Sequence, residues 1–223
     1  MAILGQGAAA FAAPIKADEL GVRTVMIGAN KTKGAALGGT CVNVGCVPSK
    51  NLITVGTTLF QSKGIEPRFD SIDYGKSKLD FQKLVKQKDD LVRTFRREKY
   101  KNVLDQLKTV DYIPQLAQFV SSNRVKAGDT DVEADNFLIA TGARANLPPV
   151  EGLDKVDYLT NEEALSLSRL PESMIVIGGR TLGLEFAQMY SHFGTKVTVL
   201  QRSDRLLPED EPEISDALRY YLE

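Results

Sequence analysis

Ile3-Leu4-Gly5-Gln6-Gly7-Ala8-Ala9-Ala10 is a short apolar run that breaks into a glycine turn and then into alanine. Alanine-rich sequence continues to Leu20, Gly21 supplies a helix stop, and Arg23–Ile27 is apolar and β-branched again. Strand, glycine turn, helix and strand in that order make a βαβ unit. The plan recurs at Met174–Ile177, Gly178-Gly179-Arg180-Thr181-Leu182-Gly183, a helical run to Phe193, Gly194, and Lys196–Leu200. A constant offset of 173 residues puts Gly5 on Gly178, Gly21 on Gly194 and Ile27 on Leu200 without a gap. One glycine fingerprint is weak evidence, but two ungapped copies of the whole unit indicate two dinucleotide-binding domains in an α/β chain.

Glycines let the backbone approach a pyrophosphate, and a helix N-terminus offers it unpaired N–H groups and partial positive charge. Both copies depart from the ideal. Ala10 stands for the third glycine of the first, a change small enough to be tolerated. Arg180 stands for the second glycine of the other, where it should crowd the pyrophosphate unless it swings out to pair with phosphate. Pro14 falls inside the first helix and should kink it or cost ~3 kcal/mol. The second strand of each unit normally ends in an acid for the adenine ribose. Gly28 and Gln201 hold those positions. A missing acid at Gln201, followed by Arg202 and Arg205, favours a 2′-phosphate, hence NADPH, with NADH as the alternative. The blander reading of the arginines is surface solvation. Gly28 leaves the first ribose without its usual partner, and the sequence names no replacement.

Between the units, residues 29–37 read as a loop rich in Lys, Gly and Ala, and Asn51–Phe60 as a helix. Asp80–Leu107 reads as one amphipathic helix with Leu84, Leu91, Val92, Val103 and Leu107 on its apolar stripe. At 1.5 Å per residue it would be ~40 Å long. Its Arg93, Arg96, Arg97, Lys99 and Lys101 read as a solvated face. Short strands are expected at 112–113, 117–120, 124–126 and Asn136–Ala140, the last ending in Thr141-Gly142-Ala143-Arg144. Ala145–Glu151, with Pro148-Pro149, reads as a linker. The division is then 1–147 and 148–223, with Thr160-Asn161-Glu162-Glu163 as a capped helix start and Glu211–Leu222 as a final helix.

A formal charge of −1 gives no electrostatic case for nucleic acid or an anionic membrane as partner. No apolar run approaches the ~20 residues that span a bilayer. The first residues lack the features of a signal peptide, and a cytoplasmic protein is expected. Cys41 and Cys46 are the only cysteines. In a reducing compartment such a pair points to redox or metal chemistry rather than a structural staple. Zinc lacks ligands, since His192 is the only histidine and sits in the second unit's helix. Four intervening residues let the sulfurs meet if the segment coils, with Gly38, Gly39 and Gly45 supplying freedom. A helix start nearby would stabilise a thiolate.

The run Gly38-Gly39-Thr40-Cys41-Val42-Asn43-Val44-Gly45-Cys46-Val47-Pro48-Ser49-Lys50 resembles the redox signature of the FAD-containing pyridine nucleotide–disulfide oxidoreductases. Ala140-Thr141-Gly142-Ala143-Arg144 and Leu184-Glu185-Phe186-Ala187 match two more motifs of that family. The resemblance implies two Rossmann-like FAD/NAD(P)-binding domains, the second truncated, with a long helical excursion in the first. It makes Cys46 the flavin-facing sulfur and Cys41 the interchange thiol, a redox disulfide in the oxidised form. Lys50 would sit by the flavin and pair with Glu185. Gly5, Gly7, Ala9, Thr40, Ala117, Thr141 and Gly142 would line FAD, while Gly178, Gly183, Gln201 and Arg202 would face NADPH.

Within the family the chain is most similar to the mercuric reductase branch. The markers are Gly5-Gln6-Gly7-Ala8-Ala9-Ala10-Phe11-Ala12-Ala13, Arg97-Glu98-Lys99-Tyr100 and the non-glycine at Arg180. That branch implies Hg(II) as substrate, held by Cys41 and Cys46, because a soft ion prefers two thiolates. Dihydrolipoyl dehydrogenase is the alternative, and an inactive flavin-binding fragment the alternative of another class. The expectation is a fragment of a longer homodimeric enzyme, without the dimerisation domain.

Overall fold

The computed structural model describes residues 1–29, 35–63 and 77–223. Residues 30–34 of the loop read at 29–37 therefore lie outside the described residues. The chain begins with β1 (Ala2–Leu4), α1 (Ala8–Glu19), β2 (Thr24–Ile27), α2 (Gly39–Val44) and α3 (Cys46–Ser62). There follow α4 (Phe81–Arg96), a π-helical turn (Arg97–Lys101) and α5 (Asn102–Leu104). Strands β3 (Val110–Ile113), β4 (Ala117–Ser121), β5 (Arg124–Ala127), β6 (Thr130–Glu133) and β7 (Phe137–Ile139) come next. The chain closes with α6 (Asn161–Ala164), β8 (Ser173–Ile177), α7 (Thr181–Phe193), β9 (Lys196–Leu200) and α8 (Pro212–Leu222). Among the described residues no helix is long and apolar enough to cross a membrane.

Packing separates two compact units, Met1–Pro48 with Gln87–Ser166, and Ser49–Lys86 with Leu167–Glu223. This differs from the division by motif at 147. The capped turn α6 packs with the first unit, and most of α3 with the second. The cap itself forms as read: the Thr160 hydroxyl accepts from the Glu162 N–H (3.3 Å), and the Glu163 carboxylate accepts from the Thr160 N–H (2.8 Å).

In the first unit four parallel strands lie in the order β3-β2-β1-β7. Side chains alternate along a strand, so the sheet buries both faces. Ala2, Leu4 and Ile27 pack against Val125, Ala127 and Val132 of the antiparallel meander β4-β5-β6. Ile3 and Met26 pack the other way, on Ala10 and Phe11 of α1 and on Leu104. Helix α1 runs unbroken through Pro14, whose ring is buried. Asp18 near its end ties it to the start of β3, accepting from the Lys108 and Thr109 N–H groups (both 2.7 Å) and the Thr109 hydroxyl (2.8 Å). These bonds hold its carboxyl below the ordinary range.

The helix expected over 80–107 is not one regular helix. It changes to π geometry at Arg97–Lys101 before ending in α5. The cationic cluster is mostly solvated, with Arg93, Arg97 and Lys101 in exposed ion pairs to Asp90, Glu98 and Asp105. Arg96 departs from that reading, because its Nε donates to Asn43 Oδ1 (2.8 Å) in α2.

In the second unit β8 and β9 are parallel, and α7 buries Leu184, Phe186, Met189, Tyr190 and Phe193. Burial pushes the Tyr190 phenol up to about 12. Gly56 of α3 lets that helix approach α7, since a Cβ there would meet His192 and Phe193 at 3.3 Å. His192 stacks on Phe60 with ring centroids 4.4 Å apart, and burial, helped by the Lys63 charge, lowers its pKa.

The two βαβ units agree in detail. In each, a residue of the first strand pairs with the one 23 positions on, Ala2 with Val25 and Ser173 with Lys196. The Gly5 N–H donates to the Ile27 carbonyl and the Gly178 N–H to the Leu200 carbonyl, both at 2.8 Å. They differ at the helix start. Ala10 is fully buried with its methyl accommodated, whereas a Cβ on the equivalent Gly183 would lie 2.0 Å from the Gly178 carbonyl oxygen. Gly183→Ala should therefore destabilise the second unit by about 1–3 kcal/mol, as overpacking does. Urea unfolding measures it, and a wild-type midpoint would contradict the geometry.

Candidate functional site

The first unit carries a cleft of about 310 Å³ at the carboxyl ends of its parallel strands, lined by Gly5, Gly7, Thr40, Ala117, Thr141 and Gly142 among others. It opens where the sheet order turns between β1 and β7, the place at which open α/β sheets bind ligands. Its floor is bare backbone by necessity. A Cβ on Gly5 (φ 129°) would lie 2.1 Å from the Ala140 carbonyl oxygen, and one on Gly39 (φ 64°) 2.5 Å from Gly7 Cα. Helix α1 starts at Gly7 with no side-chain cap, so its first-turn N–H groups face an approaching anion unblocked. A glycine trough ending at an uncapped helix fits a dinucleotide pyrophosphate such as that of FAD. Ala9 differs from the expectation: it is exposed in the first turn of α1 and is not among the lining side chains.

Cys41 and Cys46 stand either side of a break. Helix α2 ends at Val44, Gly45 takes φ −132° and ψ −118°, and α3 begins at Cys46. A Cβ on Gly45 would lie 2.9 Å from the Thr40 carbonyl oxygen, so the close turn needs glycine. Neither cysteine is in a disulfide here, Cys41 being half-buried and Cys46 exposed. A hydrogen bond to the Cys46 side chain, with burial and the Cys46 charge, raises the Cys41 pKa. This runs against the stabilised thiolate expected from a nearby helix start. In the dithiol, the neighbouring sulfur outweighs that effect at Cys41.

The segment is held by Asn43, which is buried and donates to the carbonyls of Ala36 and Leu37 (both 3.2 Å) and Gly39 (2.8 Å) while accepting from Arg96. The Asn161 amide donates to the Val44 carbonyl (2.8 Å), which closes the helix end. Sequence reasoning gave Tyr100 no role, although it lay in a quoted run. The π turn brings its ring onto Phe11 (centroids 4.8 Å) and beneath Gly38, where a Cβ would meet it at 3.3 Å. Burial, then the charge of Cys41, raises its pKa. Only a fold that stacks the π turn on α1 reveals that neighbourhood.

The second unit presents its own fingerprint. Gly178 (φ 119°) and Gly183 flank the turn into α7, and Gln201 Oε1 accepts from the Gly179 N–H (2.9 Å). Arg180 does swing out, but to Glu209 at 2.7 Å, and Arg202 is exposed. Arg205 donates to the Pro208 carbonyl (2.9 Å) rather than standing in solvent. Lys50 Nζ and the Glu185 carboxylate form an ion pair within this unit. Among the described residues no three His, Cys, Asp or Glu side chains converge as a metal site.

A family model described as pyridine nucleotide-disulphide oxidoreductase matches residues 1–223. The chain belongs to that family. Mercuric reductase of Lysinibacillus sphaericus is 41% identical over 216 residues, covering 97% of this chain and 38% of that protein. Mercuric reductase of Bacillus cereus is 42% identical over 216 residues, covering 97% and 33%. The HOCl-induced flavoprotein disulfide reductase RclA from Escherichia coli has the same fold, with TM-score 0.84 and 25% identity over 99% of this chain and 46% of that one. The chain thus spans between a third and a half of the length of these relatives.

The raised Cys41 pKa has a direct readout. Alkylation of Cys41 by iodoacetamide should rise with pH through a midpoint above the ordinary thiol value, since only the thiolate attacks. Cys46→Ala removes the largest cause and should lower that midpoint. An unchanged midpoint would show that the paired sulfur does not set it.

Proposed function

We propose that the protein passes electrons from NADPH through FAD to the Cys41/Cys46 pair and on to Hg(II), which leaves as Hg(0). The cysteine pair carries this reading: two thiols meet across the Gly45 break, on a segment that also gives Thr40 to the first unit's cleft. FAD, when bound in that cleft, supplies a two-electron relay that no side chain offers. The first-unit glycines and the α1 N-terminus hold its pyrophosphate. Cys46 is the flavin-facing sulfur and Cys41 the one that meets substrate. The reduced pair grips Hg(II) as a bis-thiolate, which suits a soft ion. Overall, NADPH gives two electrons and becomes NADP⁺ with release of a proton, and Hg(II) accepts them.

Gly178, Gly183, Gln201 and Arg202 are assigned to NADPH, and Lys50 with Glu185 to electron transfer. The two parts are residues 1–147 for FAD and 148–223 for the nicotinamide nucleotide. A homodimer in the cytoplasm is proposed on family resemblance alone. The mercuric reductase relatives favour Hg(II) over lipoamide.

Reduced protein should bind one Hg(II) with loss of both titratable thiols, and Cys41→Ser or Cys46→Ser should weaken binding by orders of magnitude. In the full-length protein, with FAD and NADPH supplied, Hg(II) should accelerate NADPH oxidation. Acceleration by lipoamide alone would favour dihydrolipoyl dehydrogenase chemistry. FAD binding without turnover of either substrate would make the chain a flavin-binding module.

A further inference from the structure

The two βαβ units differ reciprocally at one pair of facing positions. The first has glutamine in the glycine turn (Gln6) and glycine at the strand end (Gly28), and the second has glycine in the turn (Gly179) and glutamine at the strand end (Gln201). The space between the two positions takes one glutamine side chain in each unit. A Cβ on Gly28 would lie 2.8–2.9 Å from three carbons of Gln6, and a Cβ on Gly179 would meet Leu206 Cδ2 at 2.6 Å and the Cβ and Cγ of Gln201 at 3.2 and 3.3 Å. Both units therefore place a carboxamide in the same gap, reached from opposite sides.

In the second unit Gln201 binds the turn itself, through the Gly179 N–H (2.9 Å), and donates to the Ser203 hydroxyl (2.5 Å). In the first, the buried Gln6 carboxamide accepts from the Tyr112 hydroxyl and donates to the Ala35 carbonyl, and Tyr112 also donates to the Gly28 carbonyl at 3.3 Å. Tyr112 thereby fixes which way the amide points. Gln6, Gly28 and Ala35 all line the cleft of the first unit.

The strand end is where this fold places an acid for the ribose hydroxyls, and Gly28 offers no side chain for that work. We propose that Gln6, oriented by Tyr112, replaces the missing strand-end acid as the group that recognises the adenosine ribose of the dinucleotide in the first-unit cleft. The inference rests on the FAD reading and goes beyond it. A carboxamide both donates and accepts, so ribose is read here by a neutral group, where an acid would only accept.

Binding, not turnover, tests this. On the full chain, ADP and 2′,3′-dideoxy-ADP compete against FAD, followed by flavin fluorescence. Wild type should prefer ADP by roughly five- to tenfold, the worth of a hydrogen bond or two. Gln6→Ala should erase that preference while leaving dideoxy-ADP affinity nearly unchanged. Tyr112→Phe should reduce it. The exchange Gln6→Gly with Gly28→Gln rebuilds the second unit's arrangement and should restore it. Equal losses for ADP and dideoxy-ADP in Gln6→Ala, or an intact preference, would overturn the inference while FAD still binds. Wild type that binds neither FAD nor ADP would overturn the FAD reading and this one with it.

Discussion

The Gly5 N–H donates to the Ile27 carbonyl, and the Gly178 N–H repeats the bond to Leu200, both at 2.8 Å. Each bond closes the end of the second strand while the chain turns from the first strand into a helix. That turn needs φ values of 129° and 119°, which L side chains rarely adopt. With the bond made, the helix N-terminus stands over the carboxyl ends of the strands and the floor beside it is bare backbone. The anion-accepting geometry follows from this one constraint in both units.

The cysteine segment obeys a second close-approach rule. Gly39 lies against Gly7, so the cysteine segment starts at the glycine turn rather than at a distance from it. Gly45 then lets the chain fold back tightly enough for the two thiols to share a hydrogen bond. Asn43 satisfies the turn's carbonyls from within, and Arg96 reaches across from the long helix to fix Asn43. The long helix thus supports the cysteine segment through one arginine and one tyrosine, while Arg93, Arg97 and Lys101 form solvated pairs of little energetic weight.

Local grammar made much of this readable before any coordinates. Glycine fingerprints, helix stops at Gly21 and Gly194, and the Thr160 cap depend on backbone freedom and neighbouring residues, and each appears where the sequence places it. Strand β6 was missed because its four residues, Thr130–Glu133, carry little apolar pattern and owe their place to a hairpin at Gly128 (φ 61°). The π turn at 97–101 was invisible because helical periodicity tolerates one widened turn. Its cause is packing, with Tyr100 seated on Phe11 and Gly38.

The sequence alone carried the repeat, the cysteine motif and the family, because each is written in short-range spacing. It could not carry the division into packed units, in which α6 goes with the first and most of α3 with the second. Nor could it carry the rise in the Cys41 pKa, the capture of Arg180 by Glu209, or the filling of the Gly28 gap by Gln6. Those depend on which side chains far apart in the chain come to share one space, and only the closed fold settles that.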